Sequence, residues 1–316
     1  MAKERAIAAL RFIIGRAAYV LTLWVGVIVL AFALFHLAPT DPARVTLGAH
    51  ATEEQVANFR AQHGLDQPVP QQFLRYVSGL ARLDLGESYV DRRPVAPEVA
   101  TRLGVTLQLA ATASVLILLW TALSFQLASS RVAGRALRSV EFLFLSLPTL
   151  FSGVIIALVA VQFYPFTRFA ATGGASDLLF FLPPAVVLAL YPAGALGRIV
   201  QQQHAVLMRS DMVRAARARG LADSGLRWRY LVRNSAIPLT AAFANQLPLL
   251  ITSSFIVEII FSVPGIGVGL LNAVMQRDLP MVEGIVVTTS MVTILITRLF
   301  DLLYPLIDPR IDDRPS

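Results

Sequence analysis

Long apolar runs alternate along this chain with polar segments that carry most of the charge. The runs cover Ala17–Ala38, Thr106–Ala128, Val140–Phe163, Leu179–Gly197, Leu239–Phe261 and Gly284–Leu303. A hydrocarbon core about 30 Å thick takes roughly 20 residues of helix, and an unpaired backbone group inside it is costly. The pattern therefore predicts an all-α integral membrane protein with six transmembrane helices and both termini on one side. The first run is long and no small-residue cleavage site follows it, so a retained membrane helix is expected rather than a signal peptide.

Two polar segments have helical patterns of their own. After the first run, Thr52-Glu-Glu-Gln55 matches a capping box and Gly64 supplies a stop, which predicts a helix over Glu53–His63. Phe73, Leu74, Val77, Leu80 and Ala81 then repeat at helical spacing before a turn at Asp84-Leu-Gly86. These two helices are expected to pack as a small cap, serving either as a folded linker or as a partner surface. Between the fourth and fifth runs, residues 198–238 are too polar to cross a membrane yet helix-forming on both sides of Gly220. Met212, Val213, Ala215 and Ala216 give the first short helix a small apolar face. Asp223 or Ser224 can cap a second, with Leu226, Tyr230, Leu231 and Val232 as its apolar side. A glycine between them permits backbone angles that a residue with Cβ resists, so the pair suits a rigid lever. Pro148, Pro183, Pro184, Pro192 and Pro248 fall within the runs and are expected to bend or break helices, as packing kinks or around a pathway.

Charge orients the spans. Residues 198–233 hold eight arginines and two aspartates, and residues 129–138 hold Arg131, Arg135 and Arg138 with no acid. The segment 39–103 instead balances seven arginines with eight acids. Positive charge collects on the cytoplasmic side, so the termini and the arginine-rich loops are expected there and the balanced segment outside. The net charge of +7 is read as topology and contact with anionic membrane lipid, not as nucleic-acid binding. Composition excludes several chemistries outright. There is no cysteine, hence no disulfide or thiolate site, and the only lysine is Lys3. The Gly-Lys-Ser/Thr of a phosphate-binding loop cannot be built, so a partner must bind ATP if the protein uses it. His36, His50, His63 and His204 stand apart from one another and are read as non-ligands, and no metal site is expected.

Arg-Ala-Ala216 followed after three residues by Gly220 resembles the EAA loop of binding-protein-dependent ABC importer permeases. Asp211-Met-Val through Ala-Arg-Ala-Arg-Gly-Leu221, Phe-Ser-Val-Pro-Gly-Ile-Gly267 preceded by Glu258, Gln-Arg-Asp278 and Leu-Tyr-Pro-Leu-Ile-Asp-Pro-Arg-Ile311 resemble the peptide and nickel class. Ala38-Pro-Thr-Asp-Pro42, Gly-Leu-Asp-Gln-Pro68 and Asp-Leu-Gly-Glu-Ser88 look like the first permease of its heteromeric pair. Two positions depart from the general motif: its leading Glu is Arg214 here, and Asn234 stands at its later proline, with Pro238 four residues on. The resemblance implies a cytoplasmic segment at 1–16, a first span at 17–38 and an extracytoplasmic helical insertion at 39–105. A five-helix permease core follows at 106–305, with the EAA-type coupling loop at 198–238, and a cytoplasmic tail at 306–316.

The function so implied is a multi-pass subunit of the bacterial inner membrane, not itself an enzyme. An extracytoplasmic binding protein delivers solute to a pore shared with a second, similar permease, and two ABC ATPases beneath bind ATP and Mg; this chain binds no cofactor. A di- or oligopeptide is the expected cargo, with nickel or another metal chelate, a glutathione-like molecule or a sugar as alternatives. Arg214, Ala215, Ala216, Arg217, Gly220, Leu221 and Asp223 are expected to couple to one ATPase. Asn245, Gln246 and Ser253 either line the pore or bond between helices. Glu258, late in the fifth run, points to pairing, helix-end capping or a pathway role, since a charge in a membrane is expensive. The segment from Pro264 through Gly265 and Gly267 to Asp278 is expected to touch the binding protein or form an outer gate. Arg298 and Asp301, three apart on the sixth run, are expected to pair. A secondary transporter is the less favoured rival, because it would need ion-coupling acids or histidines in the membrane and usually an internal repeat.

Overall fold

A computed structural model describes residues 15, 18–33, 42–48, 50–128, 130, 132–163, 178–220 and 232–307. Twelve helices are named here: α1 Ala18–Ala33, α2 Pro42–Leu47, α3 Glu53–His63, α4 Val69–Ala81, α5 Val95–Leu127, α6 Ala133–Ser146, α7 Thr149–Phe163, α8 Leu178–Met208, α9 Asp211–Ala218, α10 Arg233–Phe261, α11 Ile266–Gln276 and α12 Leu279–Ile307. No β-strand occurs among the described residues, only one isolated antiparallel bridge between Glu87 and Pro94. The chain divides into two units, one of residues 1–104 with 264–298, the other of 105–263 with 299–316.

Among the described residues four helices are long and apolar enough to cross a membrane, and a fifth span is made if the bent pair α6 and α7 counts as one. This is a multi-pass arrangement. At 1.5 Å per residue the 33 residues of α5 reach about 50 Å, well beyond a hydrocarbon core of about 30 Å. Of the expected first span, residues 18–33 form the shorter apolar helix α1, and residues 17 and 34–38 lie outside the described residues.

In the first unit the local rules act as the sequence requires. Thr52 Oγ1 accepts the Gln55 amide at 3.3 Å while Gln55 Oε1 accepts the Thr52 amide at 2.9 Å, which completes the capping box of α3. Gly64 takes the left-handed conformation, with φ 66°, that stops the helix. Val56 and Phe59 bury against Ala43 of α2, and the ring of Phe59 stacks on His63 and meets Tyr89 edge-on. Gln72 on α4 donates to the carbonyls of Leu65 and Gln67, tying α4 back to the end of α3.

In the second unit α8 is the central helix. It packs against α6, α7 and α10, and buries Phe181, Ala185, Leu188, Leu196 and Val200. Close approach to α6 depends on glycine, since a Cβ on Gly194 would lie 2.9 Å from the Glu141 carbonyl oxygen and one on Gly197 would lie 2.2 Å from Glu141 Oε1. The prolines do not act alike. Pro148 splits the third apolar run into α6 and α7, bent by 106°, because it removes a backbone donor and forces Leu147 into an extended conformation. Pro183, Pro184 and Pro192 lie inside the single helix α8, and Pro248 inside α10, so they do not break those helices.

Candidate functional site

The polar segment of residues 198–238 takes in the end of α8, then α9 and, from Arg233, the start of α10. Ser210 precedes α9 as the cap: its hydroxyl accepts the Val213 amide at 3.4 Å and donates to the Leu207 carbonyl at 2.7 Å. Asp211 in the first turn favours the positive helix start and forms an ion pair with Arg214 at 2.6 Å, both side chains being largely exposed. Val213 and Ala216 point inward and bury with Leu207, against Met208 and Phe125. On the other side, Met212, Ala215 and Arg219 are exposed and share one face at i, i+3 and i+7. Gly220 closes the helix at φ 84°, with nothing within 4 Å of where a Cβ would stand.

The structure thus divides the expected coupling residues. Arg214, Ala215 and Gly220 lie on the surface. Ala216, at 3% exposure, packs α9 against its own chain and does not share the outward face of Ala215. The side chain of Arg217 and all of Leu221 and Asp223 lie outside the described residues, as does the expected second short helix. Ser210 and Met212 carry the geometry but were not among the expected site residues. The signal for Ser210 was a hydroxyl one position before an acidic first turn, a helix-start pattern. At the root of α9, a cavity of about 210 Å³ is lined by Gln203, Val206, Ser210, Met212, Asn234 and Ser235 among others, so Asn234, where the motif has proline, lies beside the start of the helix.

On α10, Asn245, Leu249, Thr252, Ile256 and Ile259 are exposed along one stripe. Gln246 and Ser253 are half-buried beside it. Glu258 faces the opposite way, fully buried, and Oε1 accepts the Thr106 hydroxyl at 2.7 Å. Of the alternatives open for Glu258, pairing within the chain is the one the geometry displays.

The segment from Pro264 to Asp278 begins with exposed Pro264 and buried Gly265, which precedes α11; Gly267 is buried in its first turn. Leu271, Asn272, Val274 and Met275 are exposed along α11, Met275 at 75%. Asp278 follows and is buried. It accepts the Ser88 hydroxyl at 2.5 Å on Oδ2 and the Tyr89 amide at 3.1 Å on Oδ1. Two segments 190 residues apart are joined there, within the first unit. Burial, then the charges of Glu283 and Asp278, push the Tyr89 phenol up to about 12. The Tyr76 phenol is raised for the same first reason and by Glu283. The Ser88 hydrogen bond holds the Asp91 carboxyl below its usual range. Arg298 meets the ring of Tyr19 at 4.4 Å, while the side chain of Asp301, its expected partner, lies outside those described.

Comparison with known proteins agrees with the architecture. Residues 114–313 match the family described as binding-protein-dependent transport system inner membrane component, and residues 9–110 match the N-terminal component of such membrane proteins. The glutathione transport system permease protein GsiC of Escherichia coli O6:H1 is 31% identical over 275 residues, covering 84% of this chain and 87% of that protein. The protein of the same name from Salmonella paratyphi A is 31% identical over 272 residues, covering 85% and 88%. That of Escherichia coli strain K12 is 30% identical over 275 residues, covering 84% and 87%.

Proposed function

Because the chain belongs to the binding-protein-dependent transport system inner membrane component family, as an ABC importer permease of the peptide and nickel class, we propose that it forms half of the solute pore and is driven through α9. Two ABC ATPases hydrolyse ATP with Mg on the cytoplasmic side, a second, similar permease completes the pore, and an extracytoplasmic binding protein delivers the cargo. The observation that carries this reading is the two-sided character of α9. Its inner face, Val213 and Ala216, is locked into the permease, while Met212, Ala215 and Arg219 stand exposed above a hinge at Gly220. A displacement of the outer face must then move the helix bed beneath it.

The coupling surface is therefore Met212, Arg214, Ala215, Arg219 and Gly220, with Arg217, Leu221 and Asp223 as its continuation. ATP can shift the transporter only by as much as the two states differ in their affinity for it, so this contact must differ between them. The arginine excess of the N-terminal segment and of the α9 loop supports a cytoplasmic reading of both, with the C-terminal tail on the same side if the spans number six and the segment 39–105 outside. The segment from Pro264 to Asp278, with exposed Asn272 and Met275 on α11, is the surface offered to the binding protein or the outer gate. Asn245 and Ser253, on and beside the exposed stripe of α10, face the pore or the second permease.

The cargo is a short peptide. A glutathione-like molecule, itself a small peptide derivative, is the second reading, favoured by the glutathione transport for which the relatives are named. The test is uptake of labelled dipeptide and of glutathione by cells or proteoliposomes holding the full set of subunits. Uptake is expected only when the ATPases are supplied, and Gly220→Val is expected to abolish it while Gly220→Asn, which tolerates the left-handed backbone, retains much of it. Uptake without the ATPases, or undiminished in Gly220→Val, would overturn the reading.

A further inference from the structure

A second cavity, of about 410 Å³, opens between α6 and α8 within the second unit, away from α9. Its lining includes Arg138, Glu141, Phe142, Leu145, Arg198 and Gln201. Arg138, Phe142 and Leu145 fall at i, i+4 and i+7 on α6, and Arg198 and Gln201 at i and i+3 on α8, so one face of each helix supplies the walls. Gln201 is only 8% exposed, and its Nε2 is buried with no hydrogen-bond acceptor among the described residues. A buried amide N–H without an acceptor is costly, so its presence on a cavity wall calls for an oxygen-bearing ligand. Arg138 and Arg198 are exposed, and neither lies in an ion pair with a described carboxylate.

The one acid of the site is turned to the inner wall. Glu141 is 3% exposed, takes the Ser124 hydroxyl at 3.0 Å on Oε1, and presses that oxygen against Gly197. Two guanidinium groups against one carboxylate leave the cavity with an excess of positive charge. Guanidinium planes match phosphate oxygens in paired hydrogen bonds, and the Gln201 amide adds a third direction of donation. The mouth is apolar: Phe142 is 70% exposed and Leu145 follows it along the helix. Arg138 stands just before the third apolar run and Arg198 just after the fourth, the positions from which arginines flanking membrane spans reach lipid headgroups.

From this we propose that the cavity binds a phosphate oxyanion, carried by the headgroup of an anionic phospholipid whose acyl chains lie over Phe142 and Leu145. The phosphate bridges α6 to α8, and so bears on the two helices whose contact relies on Gly194 and Gly197. The inference rests on burial and charge in the permease itself and stands whether or not α9 docks an ATPase.

The purified full chain is delipidated in detergent and returned to phosphatidylglycerol or to phosphatidylcholine, and retained lipid is counted by native mass spectrometry. Phosphatidylglycerol is expected to be held roughly tenfold better, and the preference to vanish in R138Q/R198Q and to fall severalfold in Gln201→Leu. Melting temperature in phosphatidylcholine micelles reports whether each variant is folded. Should these variants not fold, Ala205→Trp, which narrows the cavity from its exposed rim, is expected to give the same loss. Added inorganic phosphate separates the two sources. If it binds alone with the same dependence on Arg138, Arg198 and Gln201 and displaces the lipid at millimolar concentration, the phosphate site stands and its ligand is soluble. Equal retention of both lipids with no phosphate binding, or retention unchanged in every folded variant, would overturn the proposal.

Discussion

Glu258 and Tyr89 show how single side chains set the terms in the two units. Glu258 is fully buried, and Thr106 supplies one of its hydrogen bonds. Removing that donor strands part of a buried carboxylate, so Thr106→Val is expected to lower unfolding stability by about 1–3 kcal/mol while Thr106→Ser stays near wild type. Thermal melts of the two variants side by side give the measurement, and equal melting temperatures would contradict the pairing. Tyr89 acts through pH. Its phenol is raised from 10.0 to about 12 by burial, then by Glu283 and Asp278. Below pH 10 folded and unfolded chains both keep the proton and the contribution is intact; above it the unfolded chain ionises first, so stability is lost as pH climbs towards 12. Titration followed at the tyrosinate absorbance is expected to lose one of its two late-ionising groups in Tyr89→Phe, that of Tyr76 remaining. Residues of this kind were only half legible. A glutamate in an apolar run announces that it needs a partner, but nothing in the spacing says that the partner is Thr106, 152 residues away.

Elements governed by local rules could be read directly, and those governed by packing could not. The capping box at Thr52 and Gln55 and the stop at Gly64 bound α3 at the residues expected, because all the partners lie within a few positions. Which prolines break a helix and which sit inside one is set by packing, not by local spacing. Pro148 breaks a helix, whereas Pro192 sits inside α8, where packing against α6, α7 and α10 holds the helix together. On α9 the apolar face was legible, but which alanine turns inward depends on Leu207 and Phe125, which the pattern does not place. The joint at Asp278 is also an element property. Ser88 and Tyr89 end a turn that begins at Asp84, and Asp278 links α11 to α12 while holding that turn. Asp278→Asn keeps the shape but weakens the charged acceptor, so amides of residues 84–94 are expected to exchange hydrogen roughly ten times faster, with α3 unaffected. Unchanged exchange in that window would show that the turn holds itself.

For the whole molecule, hydropathy reaches the multi-pass architecture, since the bilayer constrains every span alike, while arginine bias supplies the orientation proposed above. They do not reach the cargo, because the chemistry that selects it need not lie on the chain that lets it pass. The coupling role proposed for the α9 loop can be tested without background from this chain, which contains no cysteine. Single cysteines placed at Met212, Ala215 and Ala216 in the assembled transporter, followed by crosslinking to the ATPase with and without ATP, are the most direct measurement. Met212→Cys and Ala215→Cys are expected to crosslink with a yield that changes on ATP binding, and Ala216→Cys is expected to remain unreactive. Crosslinks from Ala216→Cys alone, or from none of the three in a complex that still hydrolyses ATP, would contradict the coupling role of α9.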